Sequence, residues 1–198
     1  MDRSAEKLEN IVASFDGIAS RRQLQEAGMD VTHIYESLKE GILTKEAHGF
    51  FSLTKNPPDE FRLLQCRSEK IVFSYATALY LLGMSDRVPH VMDITVPQGD
   101  NVTKIRRDFP NLKVHYCKKE LWELGIIQVT TPQGFNVKVY DKERCVCDLI
   151  RSKESVDMQI YSQAIKEYFS KNCNPRKIIK YARKFNIEEK VRLYMEVL

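Results

Sequence analysis

The sequence predicts an α+β protein in two parts, an N-terminal winged helix-turn-helix followed by a mixed α/β C-terminal domain ending in helices. Three observations predict it. In residues 1–56 a helix with an apolar stripe, a capped short helix, a glycine turn, a second capped helix and a two-strand hairpin follow one another without spare residues. The chain has 198 residues, so enough remains after that module for a second hydrophobic core. Between them stands Lys55-Asn56-Pro57-Pro58-Asp59-Glu60, where consecutive prolines continue neither a helix nor a strand ladder. The expected division is therefore 1–56, a DNA-binding module, and 57–198, a second domain.

Each element of the first module has a local cause. Leu8, Ile11, Val12 and Phe15 form an apolar stripe that can close a three-helix core. Ser20 with Gln23 three residues on reads as a capping box, so a helix over 21–27 starts there and Gly28 stops it in a left-handed turn. Asp30 caps the next helix, over 31–40. Its apolar residues Val31, Ile34 and Leu38 recur at helical spacing and leave Thr32, His33, Tyr35, Glu36 and Lys39 on other faces. This is the candidate recognition helix. Strand-like runs at 42–45 and 50–53 flank Glu46-Ala47-His48-Gly49, with Gly49 available for positive φ, and make the wing. A helix-turn-helix sets its second helix in the major groove and a wing adds a phosphate or minor-groove contact, so duplex DNA is the expected partner.

The candidate contacts follow from these positions. Ser20, Arg21, Arg22 and Gln23 begin the first helix of the pair, where backbone amides and the positive dipole end favour phosphate. Thr32, His33 and Tyr35 lie early on the second helix within reach of base edges, and Lys39, Lys45 and His48 within reach of the backbone or minor groove. Charge works against this reading. Residues 1–60 carry seven Lys and Arg against eleven Asp and Glu, net −4, whereas 61–198 carry 24 against 16, net +8. Phosphate neutralisation supplies most non-specific DNA affinity, so the module must gather its few cations on one face or borrow others. The alternative for an acidic module of this shape is a protein-protein adaptor.

In the second part, 60–67 reads as a helix, and 73–82 as a buried helix ended by Gly83. Strands are expected at 90–96, ending at Pro97, then at 113–116, 126–130 and 135–140, the last two joined by a Pro132-Gln133-Gly134 turn. Glu143 and Arg144 begin a helix. Three stripes close the chain: Tyr161, Ile165 and Tyr168; Ile178, Ala182 and Phe185; Val191, Tyr194 and Leu198. The basic cluster Lys171, Arg176, Lys177, Lys180, Arg183 and Lys184 lies opposite the second stripe. It suits DNA flanking an operator, an RNA, or the wet side of an amphipathic helix.

Other classes find less support. Asp93, Asp141, Glu143 and Asp148 with Lys138 and Lys142 lie near predicted strands, as a nuclease would place them, but a Glu-Arg pair opening a helix more often caps or pairs than binds metal. No glycine-rich phosphate loop or nucleophile elbow is present, so no enzyme is expected. Five cysteines at irregular spacing argue against a disulfide scaffold, and Cys145-x-Cys147 lacks the second pair a zinc site needs. No cofactor or metal is expected. No apolar run reaches the roughly 18–20 residues of a membrane span and the start lacks a signal pattern, so a cytoplasmic protein with no membrane partner is expected.

One run carries a resemblance. Tyr75-Ala76-Thr77-Ala78-Leu79-Tyr80-Leu81-Leu82-Gly83-Met84-Ser85-Asp86-Arg87-Val88-Pro89, followed by Ile94-Thr95-Val96-Pro97-Gln98-Gly99, resembles the AbiEi antitoxin family of type IV toxin-antitoxin systems. Gly125-Ile126, the run from Val137 to Ile150, and Tyr181-Ala182 with Phe185 resemble that family's C-terminal half in order and spacing. Ser20-Arg21-Arg22-Gln23-Leu24 and Gly49-Phe50-Phe51-Ser52-Leu53 resemble its winged helix. The resemblance implies an abortive-infection, phage-resistance antitoxin that binds inverted repeats in its own promoter and represses its operon. It implies also that the C-terminal domain counters a nucleotidyltransferase toxin, a functional partner opposed without a stable complex. Inverted repeats need two protomers on one site, which cooperative self-association on DNA would supply. A plain winged-helix regulator and a sheet-based nuclease are the alternatives.

Overall fold

The computed structural model describes residues 3–198, and the chain separates after Arg67 into two units. In unit 1, α1 (Arg3–Ser14) leads through the two-residue strand β1 (Ala19–Ser20) into α2 (Arg21–Glu26) and α3 (Val31–Lys39). The hairpin β2 (Leu43–Ala47) and β3 (Phe50–Leu53) follows, then α4 (Glu60–Cys66). The three strands pair antiparallel in the order β1-β3-β2, with Ala19 opposite Phe51 and Leu43 opposite Leu53. Leu8, Val12, Leu24, Ile34, Leu43 and Phe51 are buried together, so every element from α1 to β3 contributes to one apolar core. At roughly 1.5–3 kcal/mol for each fully buried large apolar side chain, this cluster is the main force holding unit 1.

Two local expectations shift. The inward face of α3 is Ile34, Ser37 and Leu38, whereas Val31 in the first turn stays 40% exposed. Strand β2 begins at Leu43 and runs to Ala47 through an irregularity between Lys45 and Ala47, so only His48 and Gly49 (φ +78°) form the turn. A bulge lets an extra residue enter the strand and turn Ala47 inward.

The division at 56/57 moves to the far side of α4. Asp59 caps that helix by accepting from the Arg62 amide (2.9 Å), and its Leu63 and Leu64 are buried. Arg62 pairs with Asp16 (3.5 Å), and the Arg67 Nη1 donates to the His48 carbonyl (2.6 Å) while its guanidinium lies 5.3 Å from the Phe50 ring centre. The prolines end the hairpin, but the helix behind them folds back onto the same unit.

Unit 2 is a five-stranded mixed sheet with helices. In order come β4 (Val72–Phe73), α5 (Tyr75–Leu81), β5 (Met92–Pro97), α6 (Thr103–Asp108), β6 (Leu112–Cys117) and α7 (Lys119–Trp122). Then follow β7 (Ile126–Thr130), β8 (Asn136–Tyr140) and α8 (Lys142–Arg151), a 3₁₀ turn at Lys153–Ser155, and α9 (Met158–Glu167). A π turn at Tyr168–Asn172, α10 (Pro175–Lys184) and α11 (Glu188–Val197) complete it. The strand order is β6-β5-β4-β8-β7, with β5-β6 and β4-β8 parallel and the other pairs antiparallel. Phe73 pairs with Ile94 and Val139, so it is strand, not the start of a buried helix; the helix begins only at Tyr75, which takes φ +45°. Leu198, expected on the third stripe, is 52% exposed.

Helix α8 is the axis of this unit, with Glu143 through Ile150 all buried. Gly125, ahead of β7, lets the chain pass over its start. A Cβ there would stand 3.0 Å from the Arg144 Cβ and 3.1 Å from an Asp141 oxygen, at φ +83°. Its carbonyl accepts from the Asp141 amide (2.8 Å), so the close approach also fixes the helix cap.

Candidate nucleic-acid interface

Around α2, α3 and the hairpin, the candidate side chains divide into those engaged within the protein and those left exposed. Ser20 Oγ accepts from the Gln23 amide (3.2 Å) and Gln23 Oε1 from the Ser20 amide (2.8 Å), so both are engaged in capping α2. Arg21 is exposed. Its amide donates to the Gly49 carbonyl (2.8 Å), which ties the start of α2 to the hairpin turn, and its Nη2 reaches the Tyr35 hydroxyl at 3.5 Å. The guanidinium stands 5.9 Å from the Tyr35 ring centre. Arg22 instead pairs with Glu26 at 2.7 Å, an interaction that raises its pKa and offsets its charge.

On α3, Asp30 Oδ1 accepts from the His33 amide (2.8 Å) and lies 3.0 Å from His33 Nδ1. The amide bond holds the Asp30 carboxyl below the ordinary carboxylate range, so the cap is an anion across neutral pH. Thr32, His33, Tyr35 and Lys39 are all exposed. Lys45 and His48 are exposed on the hairpin, and among the described residues Lys39 and Lys45 form no ion pair. The structure thus brings together the start of α2, the outer face of α3 and the hairpin turn through Arg21. Arg62 and Arg67, which the proline joint had assigned to the second domain, arrive together with Asp59 and Glu60, so unit 1, with nine Lys and Arg against eleven Asp and Glu, is net −2, as residues 1–56 are.

The basic cluster of unit 2 separates into two kinds of cation. Asn174 caps α10 by accepting from the Lys177 amide (3.1 Å), and Arg176, Lys180 and Lys184 then follow at i, i+4, i+8 as an exposed stripe. Lys177 turns inward to Asp141 (3.0 Å) and Glu143 (2.9 Å). Desolvation works against its charge, but the hydrogen bonds it donates to Glu143 and Asp141 outweigh that and hold the ammonium above the ordinary lysine range. Arg183 is bidentate to Glu188 (2.7 and 3.2 Å) and Lys171 pairs with Glu167 (3.0 Å). Half of the expected patch is therefore neutralised within the protein.

The carboxylates weighed for a nuclease go to separate partners. Asp93 bonds His115 (2.7 Å), whose ring stacks on Tyr75 with centres 4.0 Å apart. Asp141 caps α8 and accepts from the Tyr181 hydroxyl (3.0 Å); Glu143 joins it on Lys177. Asp148 accepts from the buried Arg144 Nε (2.8 Å). Arg144 Nη1 also donates to the carbonyls of Leu121 and Leu124, and its guanidinium lies 4.0 Å from the Tyr140 ring centre. Lys138 donates to the Glu69 carbonyl (2.9 Å) and Lys142 to Asn172 Oδ1 (2.9 Å). Among the described residues no three His, Cys, Asp or Glu side chains converge as a metal-holding group. Cys145 and Cys147 are buried thiols, and burial, the main cause, pushes Cys147 up to about 12. Among the described residues no helix is long and apolar enough to cross a membrane.

No model of a known protein family and no curated protein matches the sequence. Among solved structures the chain is similar to the Rv2827c protein of Mycobacterium tuberculosis. The TM-score is 0.64 at 14% identity, over 92% of this chain and 72% of that one. The two share a fold; at that identity the likeness extends no further.

Proposed function

We propose that the protein is a cytoplasmic DNA-binding autorepressor and antitoxin, unit 1 being a winged helix-turn-helix that reads promoter inverted repeats. The observation that carries the DNA reading is the surface joined by Arg21, where the start of α2, the exposed Thr32-His33-Tyr35 face of α3 and the β2-β3 turn meet. A helix with polar, exposed residues in its first two turns, beside a hairpin, suits insertion into a major groove. Arg21, Lys39 and Lys45 form no ion pair among the described residues, so in an otherwise acidic unit they are cations available to phosphates. The antitoxin role, against a nucleotidyltransferase toxin, rests on the resemblance to the AbiEi family and belongs to unit 2.

Gel-shift titration on the protein's own upstream DNA against scrambled DNA, at two salt concentrations, tests the first part. The expected result is a sequence-preferring shift, weakened by salt and lost in an Arg21→Glu, Lys39→Glu double variant. A shift indifferent to sequence, or to these substitutions, overturns the reading in favour of an adaptor. Growth rescue beside the neighbouring toxin tests the second part.

A further inference from the structure

Beyond α10, unit 2 contains a second group of cations with different surroundings. A cleft of about 590 Å³ opens between the end of α8 with its 3₁₀ turn, α9 and α11. Arg151, Lys153 and Lys190 line it against one carboxylate, Glu154. Its volume lies in the range of small-molecule sites, roughly 300–1,000 Å³.

Lys153 and Lys190 are unneutralised among the described residues and Arg151 only partly neutralised, in contrast to three cations of α10 and α11. Lys177, Arg183 and Arg192 are held by carboxylates at 3.0 Å or closer. Among the described residues Lys153 has only the Tyr161 ring, 5.4 Å from its Nζ, and Lys190 has no ion pair. Arg151 lies over the Phe185 ring, 4.8 Å from its centre, and stands 3.6 Å from an Asp148 carboxylate that Arg144 already holds at 2.8 Å. Its forked donors are left for another acceptor. The carbonyl end of α8 accounts for Arg151 in its last turn. It does not account for Lys190, which sits in the first turn of α11, the end where a helix favours carboxylates. Two phenols complete the wall: the Tyr161 and Tyr194 hydroxyls are 2.7 Å apart, and since one hydrogen closes that bond, the other remains to donate.

We infer that this cleft binds a small phosphorylated ligand of nucleotide size, its phosphates held by Arg151, Lys153 and Lys190 and by one of the two phenol hydroxyls. The inference is independent of the DNA reading of unit 1. Calorimetric titration of the full-length protein with ADP and with pyrophosphate at low ionic strength tests it, together with amide NMR shifts at Ser152–Ser155 and Lys190–Tyr194. Both probes are expected to bind and to shift those amides. A Lys153→Gln, Lys190→Gln variant should bind about tenfold more weakly or worse, as expected for loss of charge-assisted contacts to phosphate. A Lys180→Gln, Lys184→Gln variant on α10 should bind as the native protein does, and unchanged circular dichroism certifies that both variants are folded. No binding of either probe, equal weakening in the two variants, or binding of a single-stranded oligonucleotide alone overturns the inference.

Discussion

The two units solve the same problem with opposite materials. The core cluster of unit 1 is apolar: Leu8, Val12, Leu24, Ile34 and Phe51 meet there, its buried carboxylate, Asp59, is engaged in capping α4, and ion pairs such as Arg22–Glu26 lie outside. Unit 2 builds charge into its centre, where α8 buries Glu143, Arg144 and Asp148, pairs Arg144 with Asp148, and ties Glu143 and Arg144 to neighbouring segments. An apolar core tolerates loss of a surface charge, because exposed pairs contribute little. A charged core does not, since removing one partner leaves the other buried and uncompensated. The difference predicts that unit 2 is the part whose stability depends on single polar contacts and on pH.

The sharpest way to break the contrast is Arg144→Ala, which among the described residues leaves the buried Asp148 with only the longer Arg151 contact and removes the donors to the Leu121 and Leu124 carbonyls. It should destabilise unit 2 by about 3–5 kcal/mol. The single tryptophan, Trp122, lies in unit 2, so its fluorescence in a urea titration reports that unit alone. Gly125→Ala should cost about 1–3 kcal/mol in the same titration, because the methyl meets Arg144 and Asp141 at a left-handed φ.

The pH arm comes next. Burial first, and Asp141 second, push the Tyr181 hydroxyl up to about 12. A folded-state value above the unfolded one, about 10, means that the contribution is complete below pH 10 and lost as pH rises through 12. Unit 2 should therefore lose stability over that window, and Tyr181→Phe should flatten the loss. The smallest effect is expected in unit 1, where Ser20→Ala removes half of the α2 capping box and should cost about 1 kcal/mol, read by hydrogen exchange in α2 and α3. Equal sensitivity of the two units to pH would dissolve the comparison.

What was legible in the sequence follows the same line. Caps and turns are local, so Ser20, Gln23, Gly28 and Asp30 announced α2 and α3 to within a residue or two. Phe73 was misread because an unbroken apolar run looks alike in a helix and in a buried strand, and β4 is only two residues long. Strand β1 and helices α6 and α7 are too short to show any period. The candidate patch on α10 was legible as charge but not as exposure. Lys177 meets Asp141 and Glu143 from another helix, a juxtaposition that no spacing on α10 encodes. Arg67 was missed for the same reason, since its acceptor lies at His48 across the hairpin.

That last contact also sets where the first module can be cut. The turn between β2 and β3 holds its shape partly through an arginine beyond the two prolines, reaching back to the carbonyl of His48 and the ring of Phe50. A fragment ending at residue 56 would keep every strand of the hairpin and lose the clasp on its tip. A fragment ending at Arg67 keeps both, and coincides with the first compact unit of the chain.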